Sequence, residues 1–179
     1  ISSGNPDLRQ SYTHLVSGRY TYTNSKTSRS FFANIFLQTA SDYITTALFI
    51  PQAGDSVIQQ GFVVDRGSQF TKPVNLDGYK SLRTFFTYSM PIKAIKTNLN
   101  LNAGFSYSQL PGLLNNLITK TDNYVYNAGV VLASNISEYV DYNLSYNANF
   151  NDAKTTGGSV STNNHVNQAI GLNINLLNK

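Results

Sequence analysis

The chain has 179 residues, 41% of them apolar, a mean hydropathy of -0.23 and a net charge of +4 from 13 basic and 9 acidic side chains. No run approaches the ~18 consecutive apolar residues of a spanning helix, which excludes a helical membrane bundle and says nothing about strands. Cysteine is absent, which excludes disulfides, thiolate metal sites and cysteine nucleophiles, and the basic residues are scattered along the sequence, so nucleic-acid binding gains nothing from them.

Residues 1–10, ISSGNPDLRQ, read as a loop leading into a strand, because Pro6 forces Asn5 into an extended conformation. From Tyr12 to Tyr22 the residues alternate: Tyr12, His14, Val16, Gly18, Tyr20 and Tyr22 share one side. Asn24 to Ser28 is a short polar turn, and Ser30 to Ala40 is a second strand. There Phe31, Ala33, Ile35 and Leu37 share a side while Phe32 and Phe36 point the other way. Tyr43 to Ile50 stops at the turn Pro51-Gln52-Ala53-Gly54-Asp55 and is expected to pair with Val57 to Val64. Residues 65–77, with Gly67, Pro73 and Asp77, read as an irregular loop. Tyr79 to Met90 is the next strand, and Pro91 to Ala94 a tight connection.

Ile95 to Ser108, IKTNLNLNAGFSYS, carries the cleanest pattern in the chain. Ile95, Leu99, Leu101, Ala103, Phe105 and Tyr107 alternate with Lys96, Asn98, Asn100, Asn102, Ser106 and Ser108, a period that a strand can use and a helix cannot. Its length exceeds the ~5–6 residues of an ordinary strand and suits the ~9–11 needed to cross a hydrocarbon layer at a tilt. Residues 109–122 read as an excursion, with Leu113, Leu114, Leu117 and Ile118 spaced for a turn or two of helix on a barrel rim. Tyr124 to Ile136 is a strand, and Ser137-Glu138-Tyr139 turns it. In Val140 to Phe150, Tyr142, Leu144, Tyr146, Ala148 and Phe150 alternate with Asp141, Asn143, Ser145, Asn147 and Asn149. A polar loop containing Gly157-Gly158 precedes a last strand that places Val166, Gln168, Ile170, Leu172, Ile174 and Leu176 on one face.

The fold expected is therefore all-β: a segment of an antiparallel transmembrane β-barrel with about seven spanning strands, and an incomplete barrel, since lipid tolerates no open edge. Short connections at 24–28, 91–94 and 137–139 face one side; longer ones at 51–77, 109–122 and 151–163 face the other and are expected to be extracellular. Tyr20, Tyr22, Tyr88 and Tyr142, with Tyr139, make a candidate aromatic girdle near the short turns. Tyr107 and Tyr124, with Tyr12, Tyr79 and Phe150, make a second one near the long connections. Because the chain opens on Ile and stops at Asn178-Lys179, where another strand is due, it reads as a piece of a larger barrel.

Asn5-Pro6-Asp7-Leu8-Arg9 running into Tyr12 resembles the Asn-Pro-x-Leu segment ahead of a barrel strand in TonB-dependent outer-membrane receptors of the Bacteroidetes type. The resemblance continues through Tyr20-Thr21-Tyr22 and Ser41-Asp42-Tyr43-Ile44, while Arg9-Gln10-Ser11 replaces the usual Lys-Pro-Glu sequel. It implies the barrel wall of a receptor that imports a bulky nutrient such as a glycan, peptide or chelated metal. It also implies as partners outer-membrane lipid, the receptor's own plug domain, TonB, and a surface lipoprotein or other outer-membrane subunits. A structural or assembly barrel, or a secreted β-sandwich used for adhesion, are the other classes that the alternation permits.

Chemistry-bearing residues are sparse. His14 and His165 lie at opposite ends of the chain, the acids Glu138, Asp141 and Asp152 fall at turns or strand ends, and no spacing suggests a catalytic set, a metal site or a cofactor. No enzyme is expected. The candidate functional residues are lumen-lining ones: Asn98, Asn100, Asn102, Asn143, Asn147 and Asn149, joined by Arg19, Arg83 and Asp141, which are costly on a lipid face.

Overall fold

A computed structural model describes residues 1–51, 57–59, 62–64, 67–134, 140–157 and 160–176. Its strands are β1 (Tyr12–Asn24), β2 (Arg29–Ser41), β3 (Tyr43–Phe49), β4 (Val57–Gln59), β5 (Phe62–Val64), β6 (Phe70–Leu76), β7 (Tyr79–Ile92), β8 (Thr97–Leu114), β9 (Leu117–Ser134), β10 (Val140–Thr156) and β11 (Ser161–Leu176). The turns expected at 52–55 and 137–139, with Gly158 and residues 178–179, lie outside the described residues.

Seven long strands run side by side in the order β1-β2-β7-β8-β9-β10-β11, every neighbour antiparallel. With β3 and β6 they form a nine-stranded sheet, while β4 and β5 pair only with each other. Among the described residues no ladder joins β1 to β11, so the sheet is an open wall, an incomplete barrel. The central strands β8 and β9 reach 18 residues each, about three times an ordinary strand.

At one end of the wall, the turn end, connections are tight. Asn24 Oδ1 accepts the backbone N–H groups of Lys26 and Thr27 at 3.0 and 3.2 Å, closing the β1–β2 turn. A single 3-10 turn, Lys93–Ile95, ending on left-handed Lys96 joins β7 to β8. The strand read from Ile95 accordingly starts at Thr97.

The opposite, extended end differs from the expectation in three places. Residues 109–122 hold no helix: β8 and β9 continue as a hairpin to a two-residue turn, Asn115-Asn116, with φ of 48° and 65°. Two successive left-handed residues are what a tight hairpin turn of this twist requires, and asparagine adopts them readily. The spacing of Leu113, Leu114, Leu117 and Ile118 that mimics a helix arises because the turn separates two paired strand ends, Leu113↔Ile118 and Leu114↔Leu117. Second, residues 70–76 of the expected 65–77 loop are strand β6, and it is β6, not 57–64, that pairs with β3. Third, most of residues 151–163 is strand, β10 running to Thr156 and β11 starting at Ser161.

Pro73 is compatible with β6 because its position shares the strand edge of Thr71, which faces away from β3. Residues 1–3 lie along that edge: Thr71 N–H donates to Ile1 O at 3.0 Å, Ser3 N–H donates to Thr71 O at 3.1 Å, and Asn5 Nδ2 donates to Pro73 O at 2.9 Å. Arg9 and Asn75 exchange hydrogen bonds at 2.7 and 2.9 Å, and Arg9 pairs with Asp42 at 2.6 Å. The Asn-Pro-Asp-Leu-Arg segment is thus strapped to β6 before the chain enters β1.

On its other side β3 runs parallel to the tip of β8, pairing Ala47 with Leu113 and Leu48 with Leu114. β7 pairs with β8 only as far as Lys80↔Gln109, so β3 covers the β8 edge that β7 leaves open. Asn115 fixes this junction: its N–H donates to Leu48 O at 2.9 Å, its Oδ1 accepts Ile50 N–H at 2.8 Å and its Nδ2 donates to Ile50 O at 3.0 Å. Ala47, Phe49 and Phe70, with Val74 and Leu113 packed on them, form the hydrophobic core of the described residues, and it sits in this cap. Asn115→Gly keeps the left-handed turn and removes two of these bonds, at an expected cost of about 1–3 kcal/mol to the junction. Faster hydrogen exchange at Ile50, with β9 and β10 unchanged, is the expected result; unchanged exchange at Ile50 contradicts the role given to Asn115.

Candidate functional site

Cross-strand partners point to the same side of a sheet, so the register sorts every side chain of the wall onto one of two faces. Following it from strand to strand, Gly18, Ile35, Thr84, Phe105, Tyr126, Phe150 and Val166 form one row. Parallel to it run Tyr22, Phe31, Tyr88, Leu101, Val130, Tyr146 and Ile170. This face is apolar through its middle. Its side chains have no protein cover: Ile170 is 76% exposed, Leu172 64% and Val16 65%. In water that area would drive association; facing hydrocarbon it is satisfied.

The apolar belt crosses the strands obliquely. On β1 it ends at Tyr22, whose row reaches Ile170 on β11, yet the β11 series continues to Leu176, six residues further after six strand steps. A drift of about one residue (~3.3 Å) per strand spacing (~4.8 Å) tilts the strands by roughly 35° from the belt's normal. Spanning barrels tilt their strands by about 35–45°. The belt on β8, Leu99 to Tyr107, covers nine positions, the length a tilted crossing needs.

All six girdle candidates lie on this apolar face: Tyr20, Tyr22, Tyr88 and Tyr142 toward the turn end, Tyr107 and Tyr124 toward the extended end. Tyr107 and Tyr124 are cross-strand partners with ring centroids 4.9 Å apart. Tyr12 and Phe150 also lie on it, but Tyr79 does not: it falls on the other face and stacks on Tyr43 at 4.5 Å. Tyr139 lies outside the described residues.

The second face carries all nine candidate polar residues. Asn98, Asn100 and Asn102 come from β8, Asp141, Asn143, Asn147 and Asn149 from β10, Arg19 from β1 and Arg83 from β7. The asparagines interlock with small residues on β9. Asn102 and Asn147 flank Gly129, and a Cβ there would collide with both amides; Gly104 likewise makes room for Asn127. Ser89 Oγ donates to Asn100 Oδ1. Asp141 stands apart from the arginines, since β8 and β9 separate β10 from β7, and its Oδ1 is buried without a hydrogen-bond partner among the described residues. His165 is on this polar face opposite Asn151, and His14 is on the apolar one. Among the described residues no cluster of three or more His, Asp or Glu could hold a metal.

Sequence reasoning set Phe32 and Phe36 out of phase but did not foresee the patch that they join on this face. Leu15, Phe32, Phe36 and Phe85 bring an apolar patch onto the polar side of β1, β2 and β7. Phe32 and Phe85 meet edge-on at 6.4 Å, and the Arg19 guanidinium lies 4.9 Å from the Phe32 ring centroid. Leu15, Phe36, Gln38, Ser81, Arg83 and Phe85 line a shallow recess of about 380 Å³, and Phe85 is 45% exposed. The signal was present as the out-of-phase Phe32 and Phe36 in an otherwise alternating strand.

An apolar face edged by tyrosines, a polar face lined by asparagines and strands tilted to span a membrane define the wall of a transmembrane β-barrel. The chain belongs to the outer membrane protein beta-barrel family, whose model matches residues 1–179, and it is a protein of the outer membrane. Comparison with curated proteins and with solved structures gives no significant match in either case.

An arginine placed on each face in turn separates the two environments. Ala103→Arg, at the middle of the apolar series, is expected to destabilise the intact barrel by about 2–4 kcal/mol in urea titrations in lipid vesicles if that face meets lipid. Asn102→Arg, one residue away on the polar face, is expected to cost less than about 1 kcal/mol. Equal costs contradict the assignment of faces.

Proposed function

We propose that the chain is a wall segment of a TonB-dependent outer-membrane receptor that imports a bulky nutrient, with the polar face turned to a lumen occupied by an internal plug domain. The aromatic patch of Phe32, Phe36 and Phe85 carries this reading. An open aqueous channel gains nothing from exposed phenylalanines, whereas a domain seated inside the barrel buries them and gives Arg19 and Arg83 acidic or carbonyl partners. Asn98, Asn100, Asn102, Asn143, Asn147 and Asn149 present neutral donors and acceptors, suited to contacts that a moving plug or passing solute must break and remake. The Asn-Pro-Asp-Leu-Arg resemblance supports the same reading. Unequal ends support an orientation: the hairpin Leu110–Thr121 and the β3–β6 cap project outside the cell, and the tight turns face the periplasm. The cap, with its own small core, offers a surface for the nutrient or for a surface lipoprotein.

Benzophenone-phenylalanine at position 36 of the intact polypeptide tests the plug. Irradiation in cells is expected to produce an internal cross-link to a segment outside residues 1–179, and the protein is expected to co-isolate with TonB. An internal cross-link without TonB association would make it a structural or assembly barrel; no internal cross-link would overturn the plugged-receptor reading.

A further inference from the structure

Three lysines dispersed in the sequence meet on the lipid side of the wall. Beyond the apolar belt at the extended end, the register aligns Lys80, Gln109, Asp122, Lys154 and Thr162 in one row, and Lys120 lies in the next row opposite Thr156. All three lysines are exposed. They sit one or two outward positions beyond Leu82, Tyr124 and Phe150, at the height where a bilayer changes from tails to headgroups.

The acidic residues in this band do not pair with them. Asp122 is the direct cross-strand neighbour of Lys154, yet its Oδ1 accepts the Tyr107 hydroxyl at 2.8 Å and Gln109 Nε2 at 3.0 Å. With the Asn164 amide turned to donate, Asp152 Oδ1 is met at 2.6 Å. Both carboxylates are thus engaged by neutral donors, and among the described residues no carboxylate lies within 4.0 Å of the three ammonium groups. Lys80 and Lys154 are three strand spacings apart, roughly 14 Å. A disaccharide headgroup with a phosphate at each end covers such a span, and Gln109 between them offers polar contact to the sugar.

We propose that Lys80, Lys120 and Lys154 form a binding site for the phosphates of an outer-leaflet glycolipid, with the Tyr107–Tyr124 pair supporting the headgroup from below. The leaflet rests on the orientation proposed above; the phosphate chemistry does not. Near an anionic surface each lysine contributes roughly fivefold in affinity, so removing three is expected to weaken binding about a hundredfold.

The intact protein in neutral detergent micelles is titrated with diphosphorylated lipid A, with lipid A stripped of phosphate, and with phosphatidylglycerol. Lys80→Gln/Lys120→Gln/Lys154→Gln is expected to lose about a hundredfold for diphosphorylated lipid A, while Lys26→Gln/Lys93→Gln/Lys96→Gln, at the turn end, binds as the parent does. The phosphate-free lipid is expected to bind both lysine variants and the parent equally weakly. Unchanged affinity in the first variant, or equal affinity for the stripped lipid, overturns the site. Phosphatidylglycerol held as tightly as lipid A overturns the glycolipid assignment. Labelling of Asn116→Cys from outside intact cells checks the orientation separately: without it the leaflet fails and the lysine–phosphate result stands on its own.

Discussion

The structure depends on one constraint: in hydrocarbon, every backbone N–H and C=O must find its partner inside the protein. The six ladders between β1 and β11 supply those partners for strands of 13 to 18 residues, far longer than a soluble domain needs. With the backbone satisfied by the ladders, the side chains are free to answer to two different solvents. Alternation follows, because period two is what lets one strand present different sets of residues on its two faces. The outer strands β1 and β11 each keep one edge unpaired among the described residues, and a membrane wall requires those edges to be met by further strands.

The same economy explains where the conventional core went. Most large apolar side chains face outward, and the buried cluster of Ala47, Phe49 and Phe70 lies in the cap at the extended end, where water returns and a core is again useful. There β3 replaces β7 along β8, residues 1–3 replace a further strand along β6, and Asn115 locks the tip of the hairpin to the chain leaving β3. The strap through Arg9, Asp42 and Asn75 ties the segment before β1 to the segment after β2, so the cap is stabilised by contacts between residues some 66 positions apart.

Much of this was legible in the residues. Leu99 to Tyr107 against Asn98 to Ser108 dictates two faces whatever the neighbours, and the register sorts the six candidate girdle tyrosines and the nine polar candidates onto opposite faces. What parity does not carry is pairing at a distance. Nothing local tells β3 to choose Phe70–Leu76 over Val57–Val64, since Pro73 reads as a strand breaker until the edge it occupies is known. Asn115-Asn116 was a readable hairpin signal, overshadowed by a leucine spacing that imitates a helix. The Phe32–Phe85 contact and the lysine band are products of register, invisible in a sequence where their members lie tens of residues apart.

Spin-label accessibility along β8 of the intact protein in lipid tests the central claim most directly. A single cysteine, introduced in turn at each position from Thr97 to Gln109 of a segment without native cysteine, carries the label. Collision with oxygen, which partitions into lipid, should peak at Leu99, Leu101, Ala103, Phe105 and Tyr107, and collision with a water-soluble nickel chelate at Asn98, Asn100 and Asn102. The lipid-facing maxima should fall off by Gln109. A profile without period two, or one with nickel collisions high at every position, would contradict a membrane-spanning wall.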